Sequence, residues 1–140
     1  MKRFIASALA VGMLTVVLPA ASGAEGKPPG NARNGRAVFN GKGNCLACHG
    51  KDAYINRRPR QSPEIDRMIK DLTTPPTNFR KPATLQAKTS AILFRDIKDG
   101  HPSSAMFPKT FLTDQEIDDV VAYLLEVRDE VSRAEKVHQP

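Results

Sequence analysis

The sequence predicts an all-α domain of about four short helices joined by long connections. Three observations carry that prediction. Apolar residues recur at spacings of three and four, helix-start signals precede those runs, and no segment alternates apolar with polar residues as a strand would.

The first two dozen residues stand apart from this domain. Lys2 and Arg3 lead into an uncharged stretch, Phe4 to Leu18, followed by Pro19 and small residues through Ala24. A positive start, an apolar centre and a small-residue end make 1–24 a cleaved secretory signal, which places the mature protein in the periplasm. An uncleaved membrane anchor is the rival, because the uncharged run approaches the ~20 residues that span a bilayer. Residues 25–30, with Pro28, Pro29 and Gly30, read as a flexible leader. The folded domain is expected over 31–130, and 131–140 as a charged, frayed tail.

Within the domain, Asn31 to Asn40 is a short helix that brings Gly35 and Phe39 to one face, and Gly41 and Gly43 end it. Lys51 to Gln61 is a basic loop. Ser62 caps a second helix with Pro63 at its first position, and Ile65, Met68, Ile69 and Leu72 form a stripe expected to face the core. Thr73 to Pro82 holds three prolines and reads as an extended loop. Thr89 or Ser90 starts a third helix that runs through Lys98 to the stop at Gly100. His101 to Thr110 is irregular, broken by Pro102 and Pro108. Thr113-Asp114-Gln115-Glu116 is a capping box, and Ile117, Val120, Val121, Leu124, Leu125 and Val127 make the apolar face of the strongest helix. From Arg128 that pattern fades.

A formal charge of +6 includes Lys2 and Arg3. The remainder is only mildly basic, too weak a signal for nucleic-acid binding. No other apolar run approaches a membrane span, so no stable insertion is expected once the signal is removed.

The two cysteines, Cys45 and Cys48, lie three residues apart with His49 directly after them. A disulfide there closes too short a loop to stabilise much. A thioredoxin-type pair follows a strand, and none is visible; a zinc site needs four ligands, and His101 and His138 are poorly placed to complete one. Cys-x-x-Cys-His is instead the attachment signature of c-type haem. One turn of chain sets two thiols beside two vinyl groups, and the next residue brings an imidazole beneath the iron. The predicted cofactor is therefore one haem c, covalent through Cys45 and Cys48.

A sixth ligand has few sources. Met68 lies on an apolar stripe and is assigned to packing, and His138 lies near the chain end. Met106, in the irregular loop, is the preferred ligand, and His101 is its rival. A thioether favours ferrous iron and raises the potential relative to a second histidine. Filling both axial positions suits electron transfer rather than catalysis.

On these residues the chain resembles the class I, single-haem bacterial cytochromes c. The resemblance is carried by Gly35 and Phe39, by Cys45-Leu46-Ala47-Cys48-His49-Gly50, by Ile97 to Met106, and by Thr113 to Leu125. It implies a cytochrome c-like fold wrapped around the haem, with the first and last helices crossing at Gly35 beside Phe39 and Tyr123. It also implies Met106 as distal ligand, with the carbonyl of Pro75 or Pro76 supporting the proximal His49. Two features depart from the family pattern: Phe107 separates Met106 from Pro108, and Lys51 to Thr74 is longer than in minimal members.

The expected function is one-electron shuttling between periplasmic redox proteins, not enzymatic turnover. A haem subunit of a larger oxidoreductase and a sensor haem with a labile sixth ligand are the alternatives. Lys42, Lys51, Arg57, Arg58, Arg60, Lys81 and Lys88 are expected around the haem rim, where they would steer the protein to acidic docking patches. Arg80 or Arg95 is available to pair with a propionate.

Overall fold

Six α-helices, and no strand among the described residues, make up the computed structural model, which describes residues 29–102 and 104–137. The expected signal segment, most of the leader and His138 lie outside the described residues. In order, the helices are α1 (Ala32–Asn40), α2 (Leu46–His49), α3 (Pro63–Lys70), α4 (Ala83–Gln86), α5 (Ser90–Lys98) and α6 (Asp114–Val137). Four of them, α1, α3, α5 and α6, are the helices expected from the sequence. The other two, α2 and α4, are four residues long, single turns too short to print a periodic pattern.

Local chemistry sets where the helices begin. Asn31 accepts from the Asn34 N–H, Ser62 from the Ile65 N–H, and Thr89, rather than Ser90, from the Ile92 N–H. At α6 the capping box closes in both directions. The Glu116 N–H donates to Thr113 Oγ1 at 3.2 Å, and the Thr113 N–H donates to Glu116 Oε2 at 2.8 Å.

The core is centred where α1 meets α6, the most extensive pairing of elements. A Cβ at Gly35 would lie 1.8 Å from the Asp119 carbonyl oxygen, so the two backbones touch and only glycine fits. One turn on, Phe39 and Tyr123 meet edge-on with ring centroids 5.5 Å apart. Asp119 itself is buried. Its Oδ1 accepts from the Asn31 N–H at 2.7 Å and from Gln115 Nε2 at 3.0 Å, which sets a carboxylate at the positive end of α1. Helix α5 packs Leu93 and Ile97 into the same core, and Ile117, Val120, Val121, Leu124 and Val127 are buried as expected.

Two expectations need correction. The segment read as a tail frayed from 131 is helical to Val137. Arg128 to Val137 contains no Gly or Pro and is rich in strong helix formers, and Glu130 is ion-paired to Arg80. The apolar stripe of α3 was expected to face the core, yet Ile65 and Met68 are 38% and 44% exposed and only Ile69 is buried. Among the described residues no other helix packs broadly against α3, so of the four stripe positions only Ile69 is fully covered.

Candidate functional site

The motif residues are held together by one turn of chain. The His49 N–H donates to the Cys45 carbonyl at 2.9 Å, and the Cys45 N–H donates to the Phe39 carbonyl at 3.0 Å, hanging α2 from the end of α1. Both cysteines are free thiols and half-buried. Burial pushes the Cys45 thiol up to about 11, so it stays protonated at neutral pH. Its Sγ leans toward the Gly43 carbonyl at 3.7 Å.

The His49 ring is fixed from two sides. Its Nδ1 lies 3.0 Å from the Thr77 carbonyl. A carbonyl has no proton to give, so Nδ1 carries the hydrogen and Nε2 is left with a free lone pair. Phe79 stacks on the imidazole with centroids 4.6 Å apart and planes 27° from parallel, and Phe39 stands 6.4 Å away. Burial holds the His49 pKa below its ordinary value, with Lys109 and Arg58 adding to that lowering and the Thr77 hydrogen bond opposing it. The neutral form is therefore the resting one, and it is the form that can ligate a metal. Neither Pro75 nor Pro76 supplies the carbonyl. The two prolines keep the chain extended, and the acceptor falls at Thr77, just past them.

Met106 is half-buried against the core, in a loop closed by its own hydrogen bonds. The His101 N–H donates to the Met106 carbonyl at 3.0 Å, the Met106 N–H to Ser104 Oγ at 3.2 Å, and Ser104 Oγ to the His101 carbonyl at 2.8 Å. Gly100 makes the turn possible: its φ is +74°, and a Cβ there would lie 2.6 Å from the Met106 carbonyl oxygen. His101, the rival ligand, is exposed and turns its Nδ1 to the Pro102 carbonyl at 3.1 Å.

A polar network with no local sequence signature joins α1 to the loop after the motif. Asp52 and Ala53 have φ of 56° and 62°, left-handed values uncommon outside glycine. That turn aims the Asp52 carboxylate at Arg36 Nε and Asn40 Nδ2, both at 2.8 Å. The Arg36 hydrogen bond, with help from Asn40, holds Asp52 down at about 2. Arg80, read from sequence as a possible propionate partner, instead bonds to the Asp52 carbonyl and to Glu130. The basic rim is also partly neutralised, since Lys42 pairs with Glu116 and Lys88 with Asp96.

Among the described residues no group of three or more His, Cys, Asp or Glu is arranged to hold a metal ion. The donor set that is present is two free thiols on one turn, an imidazole with an open Nε2 and a half-buried thioether. Those donors fit a covalently tethered porphyrin iron. The all-α fold and this site together define a haem-binding protein of the c type. The family model described as cytochrome c matches residues 32–128, and the chain belongs to the cytochrome c family. Its cofactor is covalently bound haem c, and Cys45 and Cys48 have the spacing which that attachment takes. The family's chemistry is haem-based electron transfer. Comparison with curated proteins and with solved structures returned no match. No helix among the described residues is long and apolar enough to cross a membrane.

Proposed function

We propose that this chain is a single-haem electron carrier with His49 and Met106 as axial ligands, passing electrons between periplasmic redox proteins after loss of residues 1–24. The observation that carries the reading is the His49 Nδ1–H bond to the Thr77 carbonyl, which frees Nε2 on the same turn that bears both thiols.

When bound, haem c supplies an iron that gains and loses one electron. The protein's part is to hold it still. Cys45 and Cys48 tether the porphyrin by thioethers. Thr77 and Phe79 fix the tautomer and plane of the His49 ring, and the hydrogen bond raises its basicity as a ligand. Met106 supports this reading through its place against the core, where its thioether would serve as the second ligand and keep water and small ligands away from the iron. His101 is less suited, because its ring is turned to Pro102. Lys51, Arg58, Arg60, Lys81 and Lys109 remain available to attract an acidic partner, Arg58 and Lys109 being near enough to His49 to bias its pKa.

Purified protein from cells able to mature c-type cytochromes tests this directly. The expected result is haem that survives acid-acetone extraction, and a near-infrared thioether-to-iron band in the oxidised form. Haem lost to the solvent, or an oxidised spectrum without that band, would overturn attachment or Met106 ligation respectively.

A further inference from the structure

The proximal support is one short run of chain, Thr77 to Arg80. Thr77 takes the His49 hydrogen bond and Phe79 takes the ring stack, so whatever anchors this run also aims the imidazole. The run is neither helix nor strand and lacks a regular ladder to hold it. Its anchor is the Arg80 side chain. Nη2 donates to the Asp52 carbonyl at 3.0 Å, Nη1 is paired with Glu130 on α6, and the guanidinium carbon lies 4.2 Å from the centre of the Tyr54 ring. Arg57 lies over that same ring at 4.1 Å. The Asp52 end is itself fixed by Arg36 and Asn40 of α1. Arg80 thus ties the run to the loop after the haem motif and to the last helix.

A second observation sets Arg80 apart from ordinary packing. Its Nε and the Tyr123 hydroxyl are both buried and neither has a hydrogen bond of good geometry, although the guanidinium sits close enough to Tyr123 to act on its hydroxyl. A largely buried guanidinium is costly to desolvate, a cost that an apolar side chain of similar size would avoid. Keeping the guanidinium here makes sense if its several bonds fix a geometry.

We infer that Arg80 is a positioning residue for His49, holding the Thr77 carbonyl and the Phe79 ring in place and so setting how strongly the imidazole donates to iron. The inference rests on His49 being the proximal ligand. Its sign follows from the hydrogen bond. A firmly held acceptor makes the imidazole more basic, which favours ferric iron. Loosening the run therefore raises the reduction potential. Loss of a positive charge near the iron acts the other way, since a cation favours the reduced state. The ligand effect is isolated by removing Arg80 and Glu130 together, which leaves the net charge unchanged.

The test is a redox titration of the holoprotein, wild type against Arg80→Lys and against the double variant Arg80→Gln with Glu130→Gln. Solvent exchange of the His49 Nδ1 proton, followed by NMR in the reduced form, is measured alongside. Expected are a severalfold shift of the reduction equilibrium toward ferrous in both variants, where tenfold is about 59 mV for one electron, and faster proton exchange. The control removes the exposed Lys98–Asp114 pair, with Lys98→Gln and Asp114→Asn, and should move neither readout. Lowered thermal stability with unchanged potential and exchange would reduce Arg80 to a structural role, as would an equal shift in the control. A wild type that carries no thioether-bound haem would remove the ligand reading and this inference together. A normal wild-type spectrum with unmoved variants would remove only the inference.

Discussion

His49 is supported from 28 residues away by Thr77, and from other elements by Phe79 and Phe39, which leads on to Tyr123 in α6. Met106 rests its side chain on the core, but the hydrogen bonds that hold its backbone lie within its own loop, at Ser104 and His101, with one further tie from the Lys109 N–H to the Ile97 carbonyl. The first support opens only when the 77–80 run leaves its anchors on the loop after the motif and on α6. The second can open locally while the helical core stays folded. A fixed ligand on one side and a releasable one on the other is the expected result, with loss of the thioether preceding loss of the imidazole as conditions harden.

The largest effect should follow His49→Ala. Mature holoprotein should be almost absent, read as haem-stained protein per cell; near-normal yield would show that the imidazole side is not the fixed one. Met106→Ala should keep its covalent haem but show a lower potential and ready binding of carbon monoxide by the reduced form. An unchanged spectrum in that variant would shift the role to His101. Gly100→Ala should act more gently, by straining a φ of +74° and crowding the Met106 carbonyl. The thioether band should weaken while global stability falls by about 1 kcal/mol.

The smallest effect concerns acid. Asp52 is held at about 2, below its ordinary 3.8, so its contribution is complete above pH 4 and is lost as pH falls toward 2. With the Arg36 partner well exposed, this amounts to about 1 kcal/mol. Asp52→Asn should flatten the stability profile across that window. Among the described residues the Met106 loop uses no carboxylate in its hydrogen bonds, so the variant should leave the thioether band unaltered.

The parts of this molecule legible in its sequence are those whose chemistry is local. Cys45, Cys48 and His49 declare themselves by spacing, Thr113 and Glu116 by the reciprocal cap, and Gly35 with Phe39 by sharing a face. Thr77 was missed by one residue beyond Pro76 because a backbone carbonyl has no side-chain signature, and prolines fix extension without fixing register. Asp119 carries no local signal, because the helix end it answers lies 88 positions earlier. Arg80 and Asp52 were unreadable for the same reason, since their partners lie on other elements. Met68 and the α6 extension show the opposite limit. An apolar stripe records what a helix could bury, and only its neighbours decide how much it does.

The touching backbones at Gly35 and Asp119 carry a consequence for how the protein is made. The surface that the first helix needs lies 88 residues further along the chain and is made well after it. Until α6 is complete, Phe39 has no tyrosine to meet and the end of α1 has no carboxylate to answer it. Such a long-range closure slows folding. Before that closure forms, the Cys45 and Cys48 thiols hang from the end of a helix not yet packed, where a bulky porphyrin can reach them.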